Sequence, residues 1–161
     1  MAEEPLFAVL VDELGRVDGF PPRFMLGGES RRAYFAQRRP LWRYGATLAH
    51  SGTLAGVVDL EMVGPAHEAA PVWCEHFGVV DCSRIAELET LLVHPAYRRR
   101  GLARNLVAAA RREAEARGLL MVAVTDVGNG ASLGVLGAGG FTAVATMRAP
   151  NGGEFCYLAV A

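Results

Sequence analysis

The sequence predicts a mixed α/β sheet: one strand–helix–strand unit, with a hairpin before it and a hairpin after it in the chain. Three observations predict this. Leu91, Leu92 and Val93 end a run of β-formers that stops at Pro95. An alanine-rich amphipathic helix follows, with Leu102, Leu106, Ala109, Ala110 and Ala114 on one face and Arg104, Arg111, Arg112 and Glu115 elsewhere around it. Leu119 to Thr125 is then almost continuously apolar, the pattern of a strand buried on both faces.

In chain order, Phe7, Leu10, Val11 and Leu14 have helical spacing and end at Gly15. Gly19-Phe20-Pro21-Pro22 breaks any helix, because proline cannot continue one and pushes its predecessor to extended geometry. Residues 29–38 fit a second, short helix. Trp42 to His50 and Thr53 to Val63 read as strands joined by the permissive Ser51-Gly52 turn. Residues 64–83 hold prolines, histidines, two cysteines and Trp73 without a clear period, and read as a long loop with a functional role. Ile85 to Val93 is the next strand. Gly118 is placed to end the long helix in left-handed geometry. A small-residue helix follows Asn129. Phe141 to Ala149 and Phe155 to Val160 form a terminal hairpin around Asn151-Gly152-Gly153. No repeat or linker divides the chain, so residues 1–161 are expected to make one domain.

The 161 residues are 52% hydrophobic, ample for one core. A net charge of −1 leaves no excess of positive charge to neutralise many phosphates, so no nucleic-acid partner is expected. No segment reaches the ~18 consecutive apolar residues of a membrane span, so no membrane partner is expected either. Glu3 and Glu4 open an N-terminus without signal-peptide features. Cys74, Cys82 and Cys156 are too few for a disulfide framework, and a reducing, cytoplasmic setting is expected.

Between the central strand and its helix lies Val93-His94-Pro95-Ala96-Tyr97-Arg98-Arg99-Arg100-Gly101-Leu102-Ala103. Such a loop points backbone N–H groups and the positive end of a helix dipole at one spot, which favours a bound phosphate. The arginines add charge and forked donors for the same anion. A phosphate-bearing cofactor at the start of this helix is implied.

Arg98-Arg99-Arg100-Gly101-Leu102-Ala103 matches an (Arg/Gln)-x-x-Gly-x-(Gly/Ala) loop, and through it the chain resembles the GNAT superfamily of N-acetyltransferases. The strand ending Val93-His94-Pro95 looks like that family's fourth strand. Asn129 through Gly140-Phe141 resembles its later Asn-x-x-Ala-x-x-Leu-Tyr-x-x-x-Gly-Phe segment, and Asp18-Gly19-Phe20-Pro21 looks like a segment of some bacterial members. The resemblance spans residues 45–160 and is strongest over 85–141.

The resemblance implies a GNAT fold: a mostly antiparallel sheet, one splayed parallel strand pair and flanking helices. It also implies acetyl-CoA as co-substrate. Main-chain groups of Arg100, Gly101, Leu102 and Ala103, with the side chains of Arg98, Arg99 and Arg100, would hold its diphosphate. Leu91, Leu92 and Val93 would border the pantetheine arm, which unpaired main-chain groups of Leu91 and Val93 would receive as an added strand. Asn129 and Ser132 would complete the cofactor side.

The implied acceptor is an amine, on a small molecule or a peptide. An alkylamine has a pKa of about 10.4, so only about one molecule in 10³ is neutral at pH 7. Something must therefore take its proton. Glu87 and Glu89 are the candidates, because alternate strand residues share a face. Leu91 and Val93 are expected on that face too. Either glutamate could be the base, and like charges so close disfavour joint ionisation. Direct attack in a ternary complex is the expected mechanism, with Cys156 the one thiol kept as an alternative nucleophile. Dimerisation is common among similar chains, so a homodimer is compatible with the resemblance.

Two positions depart from the pattern. Leu136 stands where the family has a tyrosine near the departing sulfur, and Ser132 stands where it has alanine. Either the thiolate leaves unaided, given a thiol pKa of about 8.5, or Ser132 or Tyr157 substitutes. The third option is a non-catalytic acyl-CoA-binding module. Acyl groups other than acetyl fit equally well. His67, Cys74, His76 and Cys82 are ligand types, but their spacing matches no zinc pattern, and no metal is expected. Trp42, Tyr44, Phe20, Phe24 and Trp73 are candidates for an acceptor pocket.

Overall fold

In the computed structural model the chain is described at residues 42–47, 51–65, 67, 69–148 and 152–160. The expected helices at Phe7–Leu14 and 29–38, the Gly19–Pro22 break, and Phe20 and Phe24 lie outside these residues. Two strands, β1 (Trp42–Thr47) and β2 (Leu54–Met62), form the first antiparallel pair. Gly52 supplies the left-handed turn residue between them, at φ 66°. β2 pairs antiparallel with β3 (Ile85–Val93), and β3 pairs parallel with β4 (Leu120–Asp126). The terminal hairpin, β5 (Phe141–Arg148) and β6 (Glu154–Val160), joins through β6, giving the order β1-β2-β3-β4-β6-β5.

Among the described residues, three α-helices pack on this sheet. The segment between β2 and β3 is not a loop throughout: it carries α1 (Ala70–Phe77). Proline sits at its start and Gly78, left-handed at φ 62°, ends it. Eight residues rarely hold a helix alone. Burial of Trp73 and a disulfide between Cys74 and Cys82 fix this one to the sheet. The helix and the short turn Cys82–Arg84 bring those two cysteines together.

α2 (Leu102–Ala116) crosses from β3 to β4. It ends as predicted: Gly118 is left-handed and the Leu119 N–H bonds back to the Ala114 carbonyl. α3 (Gly130–Ala138) is capped by Asn129, whose side-chain oxygen accepts from the Ser132 N–H at 3.2 Å. Both helices share one core with Val58, Leu60, Ala86, Leu88, Met121 and Ala123. α1 covers the opposite face, where Trp73 packs with Val63, Ile85, Val122 and Ala159. β4 is thus buried on both sides, as its sequence predicts. Among the described residues, no helix is long and apolar enough to cross a membrane.

Candidate active site

The parallel pairing of β3 with β4 runs only from Ile85–Leu120 to Leu88–Ala123. Beyond that point β3 continues along β2 to Val93, while β4 continues along β6 to Asp126. The two strands therefore part, and a fork opens between them.

Glu89 sits at the start of this fork and is an extra residue on β3. Asp59 lies opposite Thr90 and Leu60 opposite Leu88, so Glu89 forms a β-bulge. The bulge reverses the alternation of side chains. Ala86 and Leu88 before it, and Leu91 and Val93 after it, all pack on the α2 side. The expectation that Leu91 and Val93 share a face with the glutamates fails for this reason. The bulge also turns the main chain. The Ile85 carbonyl accepts from Val63 N–H, and His94 N–H donates to the Ala55 carbonyl, both toward β2. By alternation, the N–H and C=O groups of Leu91 and Val93 point away from β2, into the fork. The Arg98 Nε donates to the Val93 carbonyl there, at 3.0 Å.

Glu87 lies beneath the fork on the α1 side and is only 4% exposed. The Trp73 indole N–H donates to its Oε2 at 3.3 Å. His67, just before α1, reaches the same place. Its Nε2 lies 3.8 Å from Glu87 Oε2 and 3.7 Å from Glu89 Oε1. The imidazole pKa is raised above its ordinary value: the Glu89 carboxylate contributes most as hydrogen-bond acceptor, burial opposes it, and the charges of Glu87, Glu89 and Glu61 add to it.

The basic loop follows β3. His94 caps a short turn (Pro95–Tyr97) by accepting from Ala96 N–H. Arg99 is left-handed at φ 61° and Gly101 at φ 81°, so successive N–H groups curve around one concavity. Arg98, Arg99 and Arg100 are all exposed, with Arg100 over the Tyr97 ring. Asn105 N–H makes the first helical bond, to the Gly101 carbonyl, so the N–H groups of Leu102, Ala103 and Arg104 open the helix N-terminus.

The Acetyltransferase (GNAT) family model matches residues 16–141. The chain belongs to the GNAT acetyltransferase family. Solved structures carry the same fold. The ribosomal-protein-S18-alanine N-acetyltransferase of Escherichia coli is 20% identical, with a TM-score of 0.64 over 96% of this chain and 86% of that one. A chain of the NatC complex bound to Gag peptide and CoA is 21% identical, with a TM-score of 0.66 over 98% and 91%. Nourseothricin acetyltransferase is 22% identical, with a TM-score of 0.56 over 73% and 63%. No curated protein matches the chain in sequence.

Several side chains of this GNAT domain stand apart from the fork. Leu136 is buried in the α2–α3 core. Tyr157, on β6, packs its ring 5.4 Å from that of Trp73 and so stands behind Glu87. Cys156 is buried in the α2-side core, across the sheet from the glutamates, and burial pushes its thiol pKa up. The expected aromatic pocket divides for the same reason. Trp42 packs on the α2 side and stacks with Tyr44, whereas Trp73 lies on the α1 side. Of the ligand-type residues, Cys74 and Cys82 bond to each other, and His76 packs on the Phe77 ring. His67 is read in the sequence only as a ligand-type residue, and its place beside the two glutamates is what sequence reasoning missed. Its only sequence signal was a histidine among prolines, with no period to say which way it pointed.

Proposed function

We propose that this chain, working as one GNAT domain over residues 1–161, transfers an acetyl group from acetyl-CoA to an amine. The open fork between β3 and β4 carries this reading. Main-chain groups of Leu91 and Val93 face it and would receive the pantetheine arm as a strand, with Leu92 behind them. The left-handed pair Arg99 and Gly101, the N–H groups of Leu102 and Ala103, and the side chains of Arg98 and Arg100 would hold the diphosphate. Asn129, which caps α3, and Ser132 would border the cofactor from the β4 side.

Glu87 and Glu89 would take the proton that the acceptor ammonium must lose, Glu87 from its buried position and Glu89 at the mouth. Direct attack is favoured, because Cys156 lies across the sheet. The acceptor is a peptide or small-molecule amine; solved proteins of this fold include a ribosomal-protein-S18-alanine N-acetyltransferase and a nourseothricin acetyltransferase. A cytoplasmic setting and homodimer formation complete the reading. In a reducing compartment, Cys74 and Cys82 would be a pair of thiols.

Calorimetry with CoA and release of free thiol from acetyl-CoA over a panel of amines test the reading. CoA uptake with steady, amine-dependent thiol release is expected. Uptake without release would support the second reading, an acyl-CoA-binding module. That reading is favoured by Leu136, which offers no acid to the departing sulfur and is sealed in the core.

A further inference from the structure

We propose that His67 is the positioning residue of this site: its Nε2–H stands between the Glu87 and Glu89 carboxylates and holds them as one cluster at the fork. The proposal rests on the acid–base reading of those glutamates given above.

The ring is oriented by a main-chain contact. Its Nδ1 accepts a hydrogen bond from Ala69 N–H at 3.2 Å. A ring nitrogen that accepts carries no hydrogen, so the hydrogen of the neutral imidazole is on Nε2. A second proton goes to Nδ1, at the cost of the Ala69 contact. The Nε2–H therefore faces Glu87 Oε2 at 3.8 Å and Glu89 Oε1 at 3.7 Å in either charge state. The ligand atoms of these three side chains lie within 4.8 Å of one another; a divalent cation on Nε2 would move the ring hydrogen to Nδ1 and cost the Ala69 contact.

Among the described residues, the titratable groups facing the ring are Glu87 and Glu89 from β3 and Glu61 from β2. From α1 comes the neutral Trp73, which donates to Glu87, with Tyr157 of β6 behind its ring. The Trp73 donor and the His67 ring thus come from one segment between β2 and β3. Burial of Trp73 against Val63, Ile85 and Val122 anchors that segment to the sheet. The carboxylates raise the ring's proton affinity, so the cationic form supplies charge as well as direction. Removing the ring takes a nearby N–H and its positive charge away from the two carboxylates, so they keep a proton to a higher pH.

Two variants separate positioning from packing. His67→Phe keeps a ring and removes both donor and charge; His67→Gln keeps one N–H donor without charge. Rates of amine acetylation are measured against pH. For His67→Phe, the acid limb of kcat/KM is expected to rise by about one pH unit, and activity at pH 6–7 to fall roughly tenfold. His67→Gln recovers part of both, and KM for acetyl-CoA stays unchanged in both variants. A loss of rate with an unmoved acid limb, or no loss at all, overturns the proposal.

Ring titration by NMR gives a readout that needs no turnover and also decides the matter if His67→Phe does not fold. His67 is expected to titrate above about 6.5 in the wild-type chain and to drop toward that value in Glu89→Gln. A wild-type ring titrating at or below the ordinary value overturns the proposal. A wild-type chain that takes up no CoA and acetylates no amine overturns the acetyl-transfer reading instead, while the ring titration still decides whether His67 holds the glutamates.

Discussion

Glu87 is a carboxylate with almost no contact with water, one residue before the last parallel pair of β3 and β4. Glu89 is more open and sits on the bulge itself. Glu87→Gln keeps the shape and the Trp73 contact but cannot take a proton, so kcat is expected to fall by roughly 10²–10³ with CoA affinity unchanged. A smaller fall is expected for Glu89→Gln. Rate measurements on both, with calorimetry as control, check the assignment; two unaffected rates would remove both residues from the chemistry. Leu136 yields the opposite kind of prediction. It stands at the family's tyrosine position but is packed with Leu106, Val107 and Phe141. Leu136→Tyr forces extra atoms and a hydroxyl into that core. We expect a loss of about 1–3 kcal/mol in unfolding free energy and no gain in turnover. Denaturant melts alongside steady-state rates would show a misjudged core if turnover rose instead.

At the scale of elements, much of the fold is legible because period and punctuation agree. The apolar stripe of α2, the Gly118 stop, the all-apolar β4 and the glycine-marked hairpin are local signals. The bulge at Glu89 is not local: it exists only as a register between β3 and β2, and it alone decides which way Leu91 and Val93 face. α1 escapes for a similar reason. It is short, and its stability comes from Trp73 in a distant core and from a cysteine partner eight residues on. Closing so short a loop is worth about 2–3 kcal/mol in the chain-entropy model. Cys82→Ser, or reduction of the wild-type chain, is expected to lower unfolding stability by about that much, and reductant should have no further effect on the variant. A second element-scale prediction concerns how α2 is seated. A side chain at Gly56 of β2 would place its Cβ 2.8 Å from the Leu92 carbonyl oxygen and 3.1 Å from Leu106 Cδ1. Gly56→Val must therefore shift the β3 main chain at Leu92 and displace the Leu106 side chain of α2. We expect about 1–3 kcal/mol of destabilisation together with weaker CoA uptake, because α2 carries the basic loop. Unchanged calorimetry in a destabilised variant would separate the helix from the cofactor.

For the molecule as a whole, the titration of His67 ties the site to folding. Its proton affinity in the folded chain lies above the ordinary value of 6.5, through Glu89 first and the charges of Glu87, Glu89 and Glu61 after it, against the opposing effect of burial. A folded state that holds the proton more tightly than the unfolded one is favoured wherever the proton is bound. The contribution is therefore complete below about pH 6.5 and is lost as pH rises through the folded value. His67→Gln has no such group. The stability difference between wild type and His67→Gln, from urea midpoints at a series of pH values between 5.5 and 9, is expected to shift in favour of the wild type on the acid side and to move steadily against it as pH rises. The Ala69 N–H contact works against the cationic ring, since Nδ1 cannot both accept from it and carry a proton. A difference that is flat across the range would mean that this lost contact cancels the pull of the carboxylates. A difference that grows toward alkaline pH would reverse the sign and place the proton preferentially on the unfolded chain.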